Sequence, residues 1–133
     1  MRHFHDAFAV VIAELTPQPW HYTTPDGTTL TIEPHGLPAH KDEAEVVFQI
    51  GDLTEWVRTP DVQNLVDALT AGESWTYESC GWGLDVLVAE GGVIVALRQD
   101  DVVSVSLPAG QRMPLVSAIR RALDVARGWE REA

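Results

Sequence analysis

The chain predicts an α+β fold: one mostly antiparallel sheet of about six or seven strands with three helices, in the order α-β-β-β-α-β-β-β-β-α. Three observations lead there. Apolar residues recur at helical spacing in three separated segments, and apolar and polar residues alternate in the short runs between them. Most of those runs are joined by turns too short for a parallel crossover, which needs a dozen residues or more. With 133 residues, one domain spanning 1–133 is expected, since one core of this size hides roughly two thirds of the unfolded chain's surface.

Phe4, Phe8, Val11 and Leu15 trace one face of a first helix. The run "TPQP" ends it, because proline has no amide hydrogen and its ring clashes with the preceding turn. Trp20 and Tyr22 on one segment, and Leu30 and Ile32 on the next, flank "PDG", whose proline and glycine suit a turn; the pair reads as a β-hairpin. "PHGLPAHKDEAE" reads as an exposed loop. Val46, Phe48 and Ile50 then alternate with Glu45, Val47 and Gln49, which gives a third strand one buried face. In "GDLTEWV", Asp52 and Glu55 have the spacing of a capping box, so a short helical turn is expected.

"TPD" opens the clearest helix, with Thr59 as N-cap, Pro60 in the first turn and Asp61 near the positive end of the dipole. Val62, Leu65, Val66 and Leu69 form its buried stripe, and Gly72 closes it. From Glu73 to Leu107 the pattern is strand after strand, with Val103, Val105 and Leu107 inward and Ser104 and Ser106 outward. Trp75 and Tyr77 share one strand face, but Trp82, Leu84, Val86 and Val88 have the opposite parity. Burying both sets requires a turn or bulge within "YESCGWG", where Gly81 and Gly83 can bend. A last helix spans about Pro114 to Arg127, with Val116, Ile119, Leu123 and Ala126 on one face and Gly128 as its stop. No internal repeat stands out.

Charge narrows the function classes. Twenty acids against nine bases give a formal charge of −11, a field that repels phosphate backbones, so no nucleic-acid partner is expected. No apolar run approaches the roughly 20 residues of a membrane-spanning helix, so no membrane partner is expected either. A lone cysteine makes no internal disulfide and suits a reducing cytoplasm. Phosphate-binding loops, dinucleotide fingerprints and nucleophile elbows are missing, so no catalytic or cofactor-binding residue is assigned and no cofactor is expected.

Cysteine and histidine chemistry are the remaining possibilities. Cys80 sits between Glu78 and Asp85, and acidic neighbours disfavour a thiolate. His3, His5, His35 and His40, with Asp42 and Glu43, lack the spacing of a helical zinc motif, so no metal ligand is assigned. What remains is surface. Trp56 and Trp129 are expected to be partly exposed anchors, and Glu78, Asp100 and Asp101 supply charge; these five are the candidate partner-binding residues.

The segment "LVDALTAGESW", followed by a strand meander and an Arg-rich last helix, resembles small acidic actinobacterial proteins of unknown function, some associated with toxin-immunity loci. The resemblance covers roughly Asp52 to Trp129 and carries no functional residues. The element order also resembles the type III secretion chaperone-like fold, whose small acidic members are dimers that hold other proteins; this chain has one strand more. The charge of −11 together with the missing catalytic motifs points to a non-enzymatic, inhibitor- or immunity-like domain offering an acidic face to a basic protein. The alternative is a chaperone-like homodimer using apolar surface, and a third is a small enzyme using Cys80 or a histidine-carboxylate site.

Overall fold

The computed structural model describes residues 19–36 and 44–132. Within them the chain is α+β and runs through eight strands and two helices. The strands are β1 (Trp20–Thr23), β2 (Thr29–Gly36), β3 (Ala44–Ile50), β4 (Leu53–Arg58), β5 (Trp75–Ser79), β6 (Trp82–Ala89), β7 (Gly92–Arg98) and β8 (Val102–Pro108). Helix α1 (Thr59–Thr70) separates β4 from β5, and α2 (Arg112–Glu132) follows β8 through a short 3-10 turn. The strands form two antiparallel meanders, β1-β2-β3-β4 and β5-β6-β7-β8, rather than one sheet. Four strands and a helix thus occur twice in succession, an architectural repeat that the sequence pattern does not reveal. The helix expected over Phe4–Leu15 lies outside the described residues. No helix among them is long and apolar enough to cross a membrane.

The segment expected to form a helical turn is a strand. Ile50 pairs with Leu53 across a tight turn in which Gly51 has φ +58°, a position where a type II′ hairpin turn calls for glycine. Leu53, Glu55 and Val57 then fall on the inner face and Thr54, Trp56 and Arg58 on the outer one. The period is two, and a four-residue capping-box match loses to pairing with β3 along the whole segment.

Thr59 also departs from its expected role. It is the first residue of α1, Arg58 stands at the N-cap with no side-chain cap bond, and the buried Thr59 hydroxyl donates to Glu130 Oε1 of α2 at 2.9 Å. At its other end α1 closes as a Schellman motif. Glu73 N–H donates to Ala68 O and Gly72 N–H to Leu69 O, with Gly72 at φ +75°. The Arg112 guanidinium at the start of α2 donates to the same Leu69 carbonyl. The helices therefore run antiparallel with complementary ends: a cation of α2 meets the negative end of the α1 dipole, and a carboxylate of α2 meets the positive end. Arg127 donates to Gln63 Oε1 between them at 2.7 Å.

Helix α2 does not stop at Gly128 but continues to Glu132. Glycine in a helix costs about 1 kcal/mol relative to alanine. Two contacts beyond it offset that cost. The half-buried Trp129 ring lies so close to Gly36 of β2 that a β-carbon there would come within 3.3 Å of it, and Glu130 accepts the Thr59 bond.

The inner faces of both sheets and the apolar stripes of both helices meet in one cluster. It includes Leu30, Ile32, Phe48 and Val57 from the first sheet, Leu84, Val95 and Leu107 from the second, and Leu65, Leu69, Ile119 and Leu123 from the helices. Phe48 is the largest of the fully buried side chains. Phe48→Ala is therefore expected to lower the unfolding free energy by about 3–5 kcal/mol in denaturant titration, whereas a loss below about 1 kcal/mol would mean that this core is not closed.

Candidate interaction surface

The turn that reverses parity at "YESCGWG" is a two-residue hairpin. Ser79 pairs with Trp82, Tyr77 with Leu84 and Trp75 with Val86, so the expected reversal places both apolar sets at the same parity, but Trp82, beside the turn, is 45% exposed rather than buried. Cys80 and Gly81 occupy the turn with φ of 54° and 84°, the double positive of a type I′ turn. Cys80 is exposed and unpaired among the described residues, and a cysteine in the left-handed region is strained by about 1–2 kcal/mol. Its place is at a hairpin tip, away from the helix N-termini where thiolates are stabilised.

The outer face of the second sheet is organised in rows across the strands. Glu78, Gly83, Arg98 and Val102 lie in one row, Thr76, Asp85, Ala96 and Ser104 in the next, and Leu87, Ile94 and Ser106 in a third. Arg98 ties the first two rows together. Its Nε donates to Asp85 Oδ2 at 2.6 Å, Nη2 to Asp85 Oδ1 at 3.2 Å, and Nη1 to Glu78 Oε1 at 3.3 Å. This two-pronged grip on Asp85, with help from Glu78, holds the guanidinium firmly in its charged form. Gly83 makes the arrangement fit, because a β-carbon there would lie 2.3 Å from Arg98 Nη2.

The third row is open, and its β6 and β7 positions are apolar. Leu87 and Ile94 pair directly across β6 and β7, and both are exposed, as is Val102, of which 65% is accessible. In the sequence these residues are masked by the apolar inward parity of Leu84, Val86, Val93 and Val95. The signal was present all the same: Leu87 and Ile94 are large apolar residues at outward positions of strands whose other parity is already apolar.

Of the five candidate residues, Glu78 lies on this outer face and is held by Arg98, and Asp100 and Asp101 are exposed in the turn that follows Arg98. Trp56 projects from the outer face of β4 opposite Val47, 44% accessible, not from a loop helix. Gln99 of the Asp100–Asp101 turn donates to Thr54 O at 2.7 Å, which brings this turn against the strand that carries Trp56. Trp129 is not part of the group; it stands within α2, not beyond it, against Gly36.

No group of three or more His, Cys, Asp and Glu side chains with metal-binding geometry occurs among the described residues; His3, His5, His40, Asp42 and Glu43 lie outside them. A groove of about 480 Å³ on the first sheet is lined by Gly27, Thr28, Thr29, Thr31, Gln49 and Gly51, which offer hydroxyls and an amide and no carboxyl, imidazole or thiol.

One titratable group breaks the inside-outside rule. Glu55 lies on the inner face of β4 opposite Phe48, only 5% accessible, with Oε2 lacking any hydrogen-bond partner. Loss of solvation, reinforced by the charge of Glu45, pushes its carboxyl above the ordinary value of 4.5.

Comparison with protein families, with curated proteins and with solved structures finds no match to this chain.

Two outcomes are expected from the local chemistry. Cys80→Asn places the residue type preferred in a type I′ turn and should raise the unfolding free energy by up to about 1 kcal/mol, read by thermal denaturation. For Glu55, the raised folded-state pKa favours the protonated form, so its contribution to stability is complete below about pH 4.5 and is lost as pH rises through the folded value. Glu55→Gln should accordingly be more stable than the parent at neutral pH, and the difference should shrink as a pH series descends to about pH 4. A constant difference across the series would place the carboxylate in solvent.

Proposed function

We propose that this chain is a non-enzymatic protein-binding domain of the inhibitor or immunity kind, working in the cytoplasm, which presents the outer face of its second sheet to a basic protein. The observation that carries this reading is the open apolar pair of Leu87 and Ile94 on the same face as Glu78 and Asp85, with the exposed Val102 and the Asp100–Asp101 turn at the opposite end of that face. Exposed apolar side chains rimmed by charge are the usual make-up of a recognition patch. The apolar row supplies burial on binding, and the surrounding carboxylates select a partner of opposite sign and speed its approach. The net charge of −11 extends the same preference over longer range.

Arg98 keeps part of this charge in order. Because it neutralises Asp85 and reaches Glu78, the unpaired acids lie toward the Asp100–Asp101 end, and the apolar row lies at the other. A matching partner carries Lys or Arg beside a small apolar patch. The Trp56 strand, joined to the same turn by Gln99, gives an aromatic anchor at the border.

The test is capture of a partner from host lysate by the immobilised chain and by a variant carrying Leu87→Asp and Ile94→Asp, at low and at high ionic strength. A basic protein retained at low salt, released at high salt and lost by the variant is the expected result. Retention of the same protein by the variant, or undiminished retention at high salt, contradicts the reading.

A further inference from the structure

The four edge strands of the two sheets are β1 and β4, and β5 and β8. Proteins guard such edges with short strands or charged side chains, because an unpaired strand is a template for another chain. Three of these edges follow that rule. β1 has four residues, β4 carries Glu55 and Arg58, and β5 has five residues and carries Glu78. β8 does not: it runs seven residues, Val102–Pro108, with no titratable side chain, and only its terminal Pro108 lacks an amide hydrogen. Its backbone pairs with β7 on one side, and no other backbone bond of Val102–Pro108 occurs among the described residues.

We infer that β8 is a self-association edge whose occupant is β8 of a second copy of this chain, paired antiparallel about Val105. The strand is self-complementary in that register. Val105 meets Val105 and Val103 meets Leu107 on the inner side, while Ser104 meets Ser106 on the outer side. Charge favours this edge over β4 and β5, which carry Glu55 and Glu78. Two copies, each at −11, repel least where uncharged segments meet. In the Val105-centred register the two Asp101 carboxylates stand roughly 27 Å apart along the strands, at about 3.4 Å per residue. That is well beyond the screening length of about 8 Å at physiological ionic strength. The result is one continuous eight-stranded sheet whose outer face shows small serines at its centre and an apolar row of Leu87 and Ile94 on either side.

Three chains measured by light scattering after size exclusion test the inference: the parent, a variant with Ser104→Asp and Ser106→Asp, and one with Ser104→Lys and Ser106→Lys. Both serines are exposed, so the substitutions leave the core intact. The expected result is a parent whose mass doubles with rising concentration, two variants at monomer mass whose thermal midpoints match that of the parent at concentrations where it is monomeric, and a doubled mass when the variants are mixed. High salt should leave the parent dimer in place, which separates this contact from the salt-sensitive partner capture proposed above. Hydrogen exchange of the unaltered chain gives a second reading, with β8 amides becoming more protected as concentration rises. A parent that stays monomeric at every soluble concentration overturns the inference, as does an aspartate variant that still dimerises.

Discussion

Each four-stranded sheet has two faces, and two helices are available among the described residues to help cover them. That constraint organises the molecule. Both sheets turn one face to a shared core, so every strand must alternate, and most residues at the other parity meet solvent, with Val47 and Ala96 among the exceptions. On the first sheet those outward positions are mostly polar: His21, Thr31, Gln49 and Thr54 form one row. On the second they include Leu87, Ile94 and Val102. Apolar side chains left outside by a fold that has already filled its core are what make the second sheet the place to look for recognition.

The shared core also depends on how the helices are held. α2 comes from the end of the chain, yet its Trp129 seats against β2 and its Arg112 and Glu130 address the two ends of α1. These polar contacts run between elements far apart in sequence and fix the antiparallel register of the helix pair over the sheets. Glu55 works in the opposite sense, as a carboxyl facing Phe48 without a partner for Oε2, and the surrounding apolar contacts must outweigh it.

Local patterns with a single period were legible in the sequence. The parity reversal around Cys80 announced the β5–β6 hairpin, the alternation of Val103, Val105 and Leu107 announced β8, and "TPD" with Gly72 framed α1. What was not legible depended on partners distant in sequence. β4 reads as a helical turn until β3 is placed beside it, Thr59 reads as a cap until Glu130 arrives from the far end of α2, and Gly128 reads as a stop until Trp129 finds Gly36. The division into two sheets has the same cause, because strand alternation says which face is buried and not which strands share a ladder. For the candidate site, charge pointed to Glu78, Asp100 and Asp101, but not to Arg98 holding Glu78 or to Leu87 and Ile94 completing the face.

Recognition by the second sheet requires that it have one buried and one open apolar face. Methyl NMR with a soluble paramagnetic probe reads this directly, residue by residue. Strong broadening of the Leu87, Ile94 and Val102 methyls, with Leu84, Val86 and Val95 unaffected, is expected. Equal protection of Leu87 and Ile94 with Leu84 and Val86 would contradict it, since the outer face would then be covered and unavailable to any partner.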